Sequence, residues 1–205
     1  MSSTRIGAPG SVAGTEPYPW PFDGWFAPRR CALLVVGDGS PFGDPAVAGV
    51  VRDLTERARE SGILVVAVAT GRPSRGSGGS GGSGPAEATV PAWPDGRSVT
   101  AAGWDGFYGS PLDATLRGAD RDQVLLAGRL LETGVHSTLR SANDRGYECL
   151  TLADACEAGS PETGRGALSS ITMSGGIFGA IGSSPQLLAA LGNRAAAGPR
   201  ERQPS

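Results

Sequence analysis

The sequence predicts an α/β fold, a three-layer open sheet of about six parallel strands with helices on both faces. Three observations carry this. Residues 32–36 and 63–69 are unbroken apolar runs, the pattern of strands buried on both faces. Between them, residues 46–60 repeat apolar side chains at helical spacing through Val47, Val50, Val51, Leu54 and Ala58. A buried strand, a helix and a second buried strand make a right-handed parallel crossover. The same alternation then recurs along the chain as far as residue 191.

Residues 1–16 read as a disordered N-terminus, and residues 17–193 as a single domain. The domain opens on Pro17-Tyr18-Pro19-Trp20-Pro21-Phe22, an extended arm whose rings are expected on the domain surface. Strand 32–36 ends at Gly37. Asp44 is placed to cap the helix that follows, with Pro45 in its first turn and Gly62 closing it. After strand 63–69 comes a Gly/Ser insert at 76–84, a repeat that behaves as a flexible coil and buries nothing. It reads equally as an engineered linker replacing a native loop or as natural low complexity. The pattern resumes with strand 97–101, helix 112–117, strand 124–127, helix 135–143 and strand 147–152. Helix 163–173, strand 177–181 and helix 185–191 complete it, and residues 194–205 form a flexible tail. In such a sheet ligands bind beyond the carboxyl ends of strands, so the loops after Val36, Ala69, Ala101, Ala127 and Leu152 are the ones to inspect.

Composition removes whole classes of chemistry. All 18 basic residues are arginine, which excludes a Schiff-base lysine and a P-loop lysine. A single histidine, His136, excludes the common zinc sets, and no metal or cofactor is expected. Three cysteines form no closed disulfide framework. The 18 basic and 20 acidic residues leave a net charge of -2, so no nucleic acid partner is implied. No apolar run reaches the ~20 residues of a membrane span. Residues 1–16 lack a signal-peptide core, and a cytoplasmic, bacterial protein without a membrane partner is expected.

Several motifs together resemble the isochorismatase-like cysteine hydrolases. Ala32-Leu33-Leu34-Val35-Val36 is similar to that family's first strand. Phe107-Tyr108-Gly109-Ser110-Pro111-Leu112-Asp113 is similar to its aromatic segment. Val135-His136-Ser137-Thr138-Leu139-Arg140-Ser141 resembles the helix behind the nucleophile, and Ile171-Thr172-Met173-Ser174-Gly175-Gly176 the C-terminal helix. The arm at 17–24 resembles the biuret- and ureido-type amidohydrolase branch. The resemblance implies an Asp base, a supporting Lys and a Cys nucleophile at a helix start. Carried onto this chain, the Asp position is Gly37, the Lys position Ala101 and the Cys position Gly134. On this reading all three are replaced, and no shift of register recovers a lysine that the chain does not contain.

What remains at the site reads in two ways residue by residue. Asp38 either reaches the pocket from the turning strand end or is a solvated turn aspartate. Glu132 and Thr133 precede Gly134, and the amides of Gly134, Val135 and His136 open a helix able to attract an anion or carbonyl oxygen. His136 is either an acid–base group or a helix histidine bonded to a neighbour. Asp38, Glu132 and His136 are thus the acid–base candidates. Trp25, Trp104, Phe107 and Tyr108 are expected to line an aromatic pocket, with Leu131 making its floor apolar. Two functions follow. The preferred one is a repurposed non-hydrolytic enzyme, catalysing cyclisation, elimination or rearrangement of a small organic intermediate in specialised metabolism. The other is a catalytically dead binding or scaffolding protein. Either takes a small-molecule ligand at the strand carboxyl ends, and the resemblance implies a homo-oligomer.

Overall fold

The computed structural model describes residues 10–71 and 97–197, with side chains to residue 193. The Gly/Ser insert and the last tail residues lie outside the described residues. Six parallel strands stand in the order β3-β2-β1-β4-β5-β6. They are β1 (Cys31–Gly37), β2 (Leu64–Ala69), β3 (Arg97–Thr100), β4 (Gln123–Arg129), β5 (Glu148–Glu157) and β6 (Ala180–Gly182). The helices are α1 (Pro45–Glu60), α2 (Leu112–Arg117), α3 (His136–Asp144), α4 (Pro161–Met173) and α5 (Ser184–Ala197). The chain runs outward from β1 through β2 to β3, then returns to β4 on the other side of β1. The strand order therefore reverses between β1 and β4, where an open sheet places its crevice.

The strand period of two makes the three layers. Ala32, Leu34 and Val36 face one core with Leu112, Leu116, Leu139, Ala142 and Ile171 of α2, α3 and α4. Leu33 and Val35 face the other with Val51, Leu54, Ala58 and Leu187 of α1 and α5. The α1 cap forms as the sequence dictates. The Asp44 carboxylate accepts from the Ala46 amide at 2.8 Å, and Pro45 occupies the first turn. Among the described residues no helix is long and apolar enough to cross a membrane.

Local expectations need correcting where tertiary contacts take over. Within the stretch expected to be disordered, Val12 is fully buried and pairs with Trp20. The arm lies only partly on the surface. The Trp20 indole enters the α1/α5 core, 5.9 Å from the Phe26 ring, while Pro17, Pro19 and Phe22 stay exposed. Helix 135–143 is preceded by a π-turn at Leu131–Val135. Strand β5 continues well beyond Leu152. Its register against β4 jumps between Leu126↔Thr151 and Gly128↔Cys156, which absorbs the residues expected to form a loop. Asp154 on this irregular stretch accepts from the Ser184 amide at 2.8 Å and caps α5. Strand β6 starts late, because the Ile177 and Gly179 amides turn back onto Ser174 and Gly176.

Candidate functional site

The carboxyl ends of β1, β2 and β3 bring the three positions named from the resemblance close together. Gly37 ends β1, and its carbonyl accepts from the Thr70 amide at 2.8 Å. Ala101 follows β3 directly and donates its amide to Ala69 at 2.8 Å. Gly134 is buried in the π-turn above them. A Cβ on Gly134 would lie 2.8 Å from the Thr70 Oγ1 and 3.5 Å from a Val36 methyl. A Cβ on Gly37 would meet nothing within 4 Å. The space beside Gly37 is open, and the space beside Gly134 is filled by Thr70.

The loop from Ala101 to Gly106 seals one side. The Gly71 amide donates to the Gly103 carbonyl at 3.0 Å, and the Gly106 amide donates to the Thr138 Oγ1 at 2.9 Å. Thr138 in turn donates to the Gly134 carbonyl at 2.7 Å. Trp104 sits half-buried on this loop.

Beside Gly37 lies an ionic group that the sequence reading missed. The Arg129 Nη1 reaches Asp38 at 3.1 Å, and its Nε lies 3.5 Å from Glu157. The Glu157 carboxylate also accepts from the Gly43 amide at 2.9 Å. Partial burial alone would raise the Asp38 carboxyl. The Ser40 amide and the Arg129 guanidinium outweigh it and hold the group below the usual carboxylate range. Asp38 is therefore near the vacant space as an ion-pair partner, a poor proton acceptor near neutral pH. Arg129 was signalled by its place, a charge ending the buried run of β4 at the switch point. Thr70 was signalled by a hydroxyl closing the all-apolar β2. Glu157 was hidden because β5 was expected to stop at Leu152.

The other acid–base candidates are engaged elsewhere. The Glu132 carboxylate accepts from the Gly159 amide at 3.0 Å and ties the π-turn to the start of α4. The His136 Nε2 pairs with the Ser170 Oγ at 3.0 Å, also on α4. Burial first, and then the Arg140 charge, hold the His136 imidazole below its ordinary value. Two of the three amides expected to cradle an oxyanion are turned inward. Val135 donates to the Leu130 carbonyl at 3.4 Å, and His136 donates to the Leu131 and Thr133 carbonyls. Leu130 itself stands at φ 59°, the left-handed region that a β- or γ-substituted residue adopts at a cost of about 1 kcal/mol or more.

The expected aromatic wall does not assemble. The Trp25 carbonyl accepts from Gln123, the first residue of β4, so Trp25 lies at the amino edge, across the sheet from Gly37. Phe107 is buried against the Tyr147 ring at 5.8 Å with the Arg145 guanidinium over it, a core contact behind α3. Leu131 is likewise core, packed with Val36 and Val135 instead of flooring an open pocket. Tyr108 and Thr133 are exposed. The three cysteines are all free and buried. Burial pushes the Cys156 thiol up to about 12 and raises those of Cys31 and Cys149 further. Among the described residues no group of three or more His, Cys, Asp or Glu side chains could hold a metal.

With this geometry in place, comparison with known proteins gives a consistent picture. The isochorismatase domain model matches residues 35–182. An uncharacterised isochorismatase family protein, YecD of Escherichia coli O157:H7, is 39% identical over 59 residues, 29% of this chain and 31% of that protein. The ureidoacrylate amidohydrolase RutB of Methylobacterium radiotolerans is 37% identical over 98 residues, 46% of this chain and 37% of that protein. These matched stretches thus span only about a third of the curated relatives' length. An isochorismatase family protein from Burkholderia thailandensis superposes with a TM-score of 0.65 at 22% identity, covering 80% of this chain and 96% of that one.

Proposed function

This chain belongs to the isochorismatase family, and from that premise we propose that it is a ligand-binding member that does not hydrolyse its ligand through a thiolate. On this reading Gly37, Ala101 and Gly134 stand where the family keeps its Asp, Lys and Cys. The observation that carries it is the filled space beside Gly134. The Thr70 hydroxyl occupies it, and the three native thiols are buried with their protons held on. The structural engagement of Asp38 by Arg129, of Glu132 by Gly159 and of His136 by Ser170 supports binding over acid–base turnover.

A second reading, a repurposed non-hydrolytic enzyme, is favoured by the open space at Gly37 next to Asp38. The ligand in either case is a small organic molecule held at the carboxyl ends of β1 and β4. The proposed assembly is a homo-oligomer, which sedimentation measures directly.

Calorimetric titration with a panel of small amides and carboxylic acids, paired with product analysis, tests the proposal. Binding without ammonia release or any other product is expected. Amide hydrolysis that iodoacetamide abolishes would overturn it. Turnover to an isomer or cyclised product, lost in Asp38→Asn, Glu132→Gln or His136→Asn while binding persists, would establish the second reading instead.

A further inference from the structure

We propose that Thr70 is the residue that closes the nucleophile space, so that Gly134 is a steric requirement of this chain and not merely a lost cysteine. The inference rests on the family reading of position 134 for its functional meaning, but the packing argument stands on distances alone. A Cβ at 134 would be 2.8 Å from the Thr70 Oγ1 and 3.8 Å from the Thr70 Cβ. The first separation is shorter than real contacts allow, and the second is ordinary van der Waals contact. One oxygen atom therefore makes the obstruction.

That atom is not free to leave. Thr70 is 6% exposed, its amide is fixed to the Gly37 carbonyl at 2.8 Å, and its hydroxyl leans on the same carbonyl at 3.4 Å. The hydroxyl sits on a β-branched carbon, so it has no flexible stem to swing away on. Rotation about χ1 either brings the methyl into the same place or turns the hydroxyl off the Gly37 carbonyl into close-packed surroundings. The three converging positions are thus not equally empty. Position 37 has room for a side chain, whereas at position 134 the Thr70 hydroxyl must shift or be removed before a side chain fits.

The test is a double-mutant cycle between positions 70 and 134. Gly134→Ala and Gly134→Cys are each made alone, with Thr70→Ala and with Thr70→Val, the isostere that keeps the volume and removes the hydroxyl. Gly134→Ala is expected to lower Tm by about 4 °C or more in the native and Thr70→Val backgrounds, and by less than half that with Thr70→Ala. The thiol introduced by Gly134→Cys is expected to react with iodoacetamide at least about tenfold faster in the Thr70→Ala background, with Thr70→Ala alone as the blank. If Gly134→Cys does not fold with Thr70 present, the alanine cycle still decides. Equal Tm losses for Gly134→Ala in all three backgrounds overturn the proposal. Coupling between the two positions together with thiol-dependent hydrolysis by the native protein would leave this inference standing and sink the functional reading, so the two failures are distinct.

Discussion

Replacing Gly128 by alanine should be among the most damaging single-methyl changes the sheet can suffer. Gly128 sits in β4 at φ 140°, opposite Val36 and beside the register jump to β5. A Cβ there would be 1.9 Å from the Val36 carbonyl oxygen and 2.7 Å from its amide nitrogen. Both are backbone atoms of the central strand and cannot rotate away. Reaching even a tight contact means prising β1 from β4 by about an ångström, which breaks the hydrogen bonding that closes the pair at its carboxyl end. Strain at an unfavourable φ costs about 1–2 kcal/mol, and each backbone partner left buried and unpaired about 1–3 kcal/mol more. With one partner left unpaired the sum is about 2–5 kcal/mol, a large fraction of the stability of an ordinary domain. Urea denaturation followed by tryptophan fluorescence measures it. Gly37→Ala, whose Cβ meets nothing within 4 Å, is the matched control and should stay within about 0.5 kcal/mol of the native chain or be slightly stabilising. A Gly128→Ala loss below about 1 kcal/mol would show that β1 and β4 separate easily, and would remove the rigid switch point on which the site geometry rests.

Two further outcomes follow from the buried ionisable groups. Iodoacetamide at pH 8 should leave Cys31, Cys149 and Cys156 unmodified in the native protein and label all three in urea, as read by mass spectrometry. Rapid native labelling of any one would contradict the burial that raises their pKa values. For His136, the depressed folded pKa means that the folded state binds the proton less readily than the unfolded chain. Its contribution is then fully present above pH 6.5, the ordinary value, and is lost as pH falls through and below it. The drop in urea midpoint between pH 7.5 and pH 5.5 should shrink in His136→Asn; an unchanged drop would mean that burial and the Arg140 charge do not disfavour the imidazolium.

How much of this could be read from the chain alone differs by element. Strands β1 and β2 were legible because a strand buried on both faces must be apolar throughout. Helix α1 was legible because amphipathic spacing and the Asp44-Pro45 cap are local. The arm was misread in part because composition gives its proline-aromatic character but not that Trp20 joins the buried cluster of α1 and α5. The end of β5 was misread because its irregular stretch exists to aim Asp154 at α5, a partner 30 residues away.

By itself the sequence determined the order of elements, the sheet class, the absence of lysine chemistry and the small residues at 37, 101 and 134. These follow from side-chain chemistry and short-range periodicity. Only the tertiary structure decided what those residues face. It set Trp25 at the opposite edge, turned Phe107 and Leu131 into core, paired Asp38 with Arg129, and put a threonine hydroxyl against Gly134. The reason is that a site is made of contacts between strand ends far apart in sequence, and occupancy of a space is a property of the neighbours around it, not of the residue whose side chain is missing.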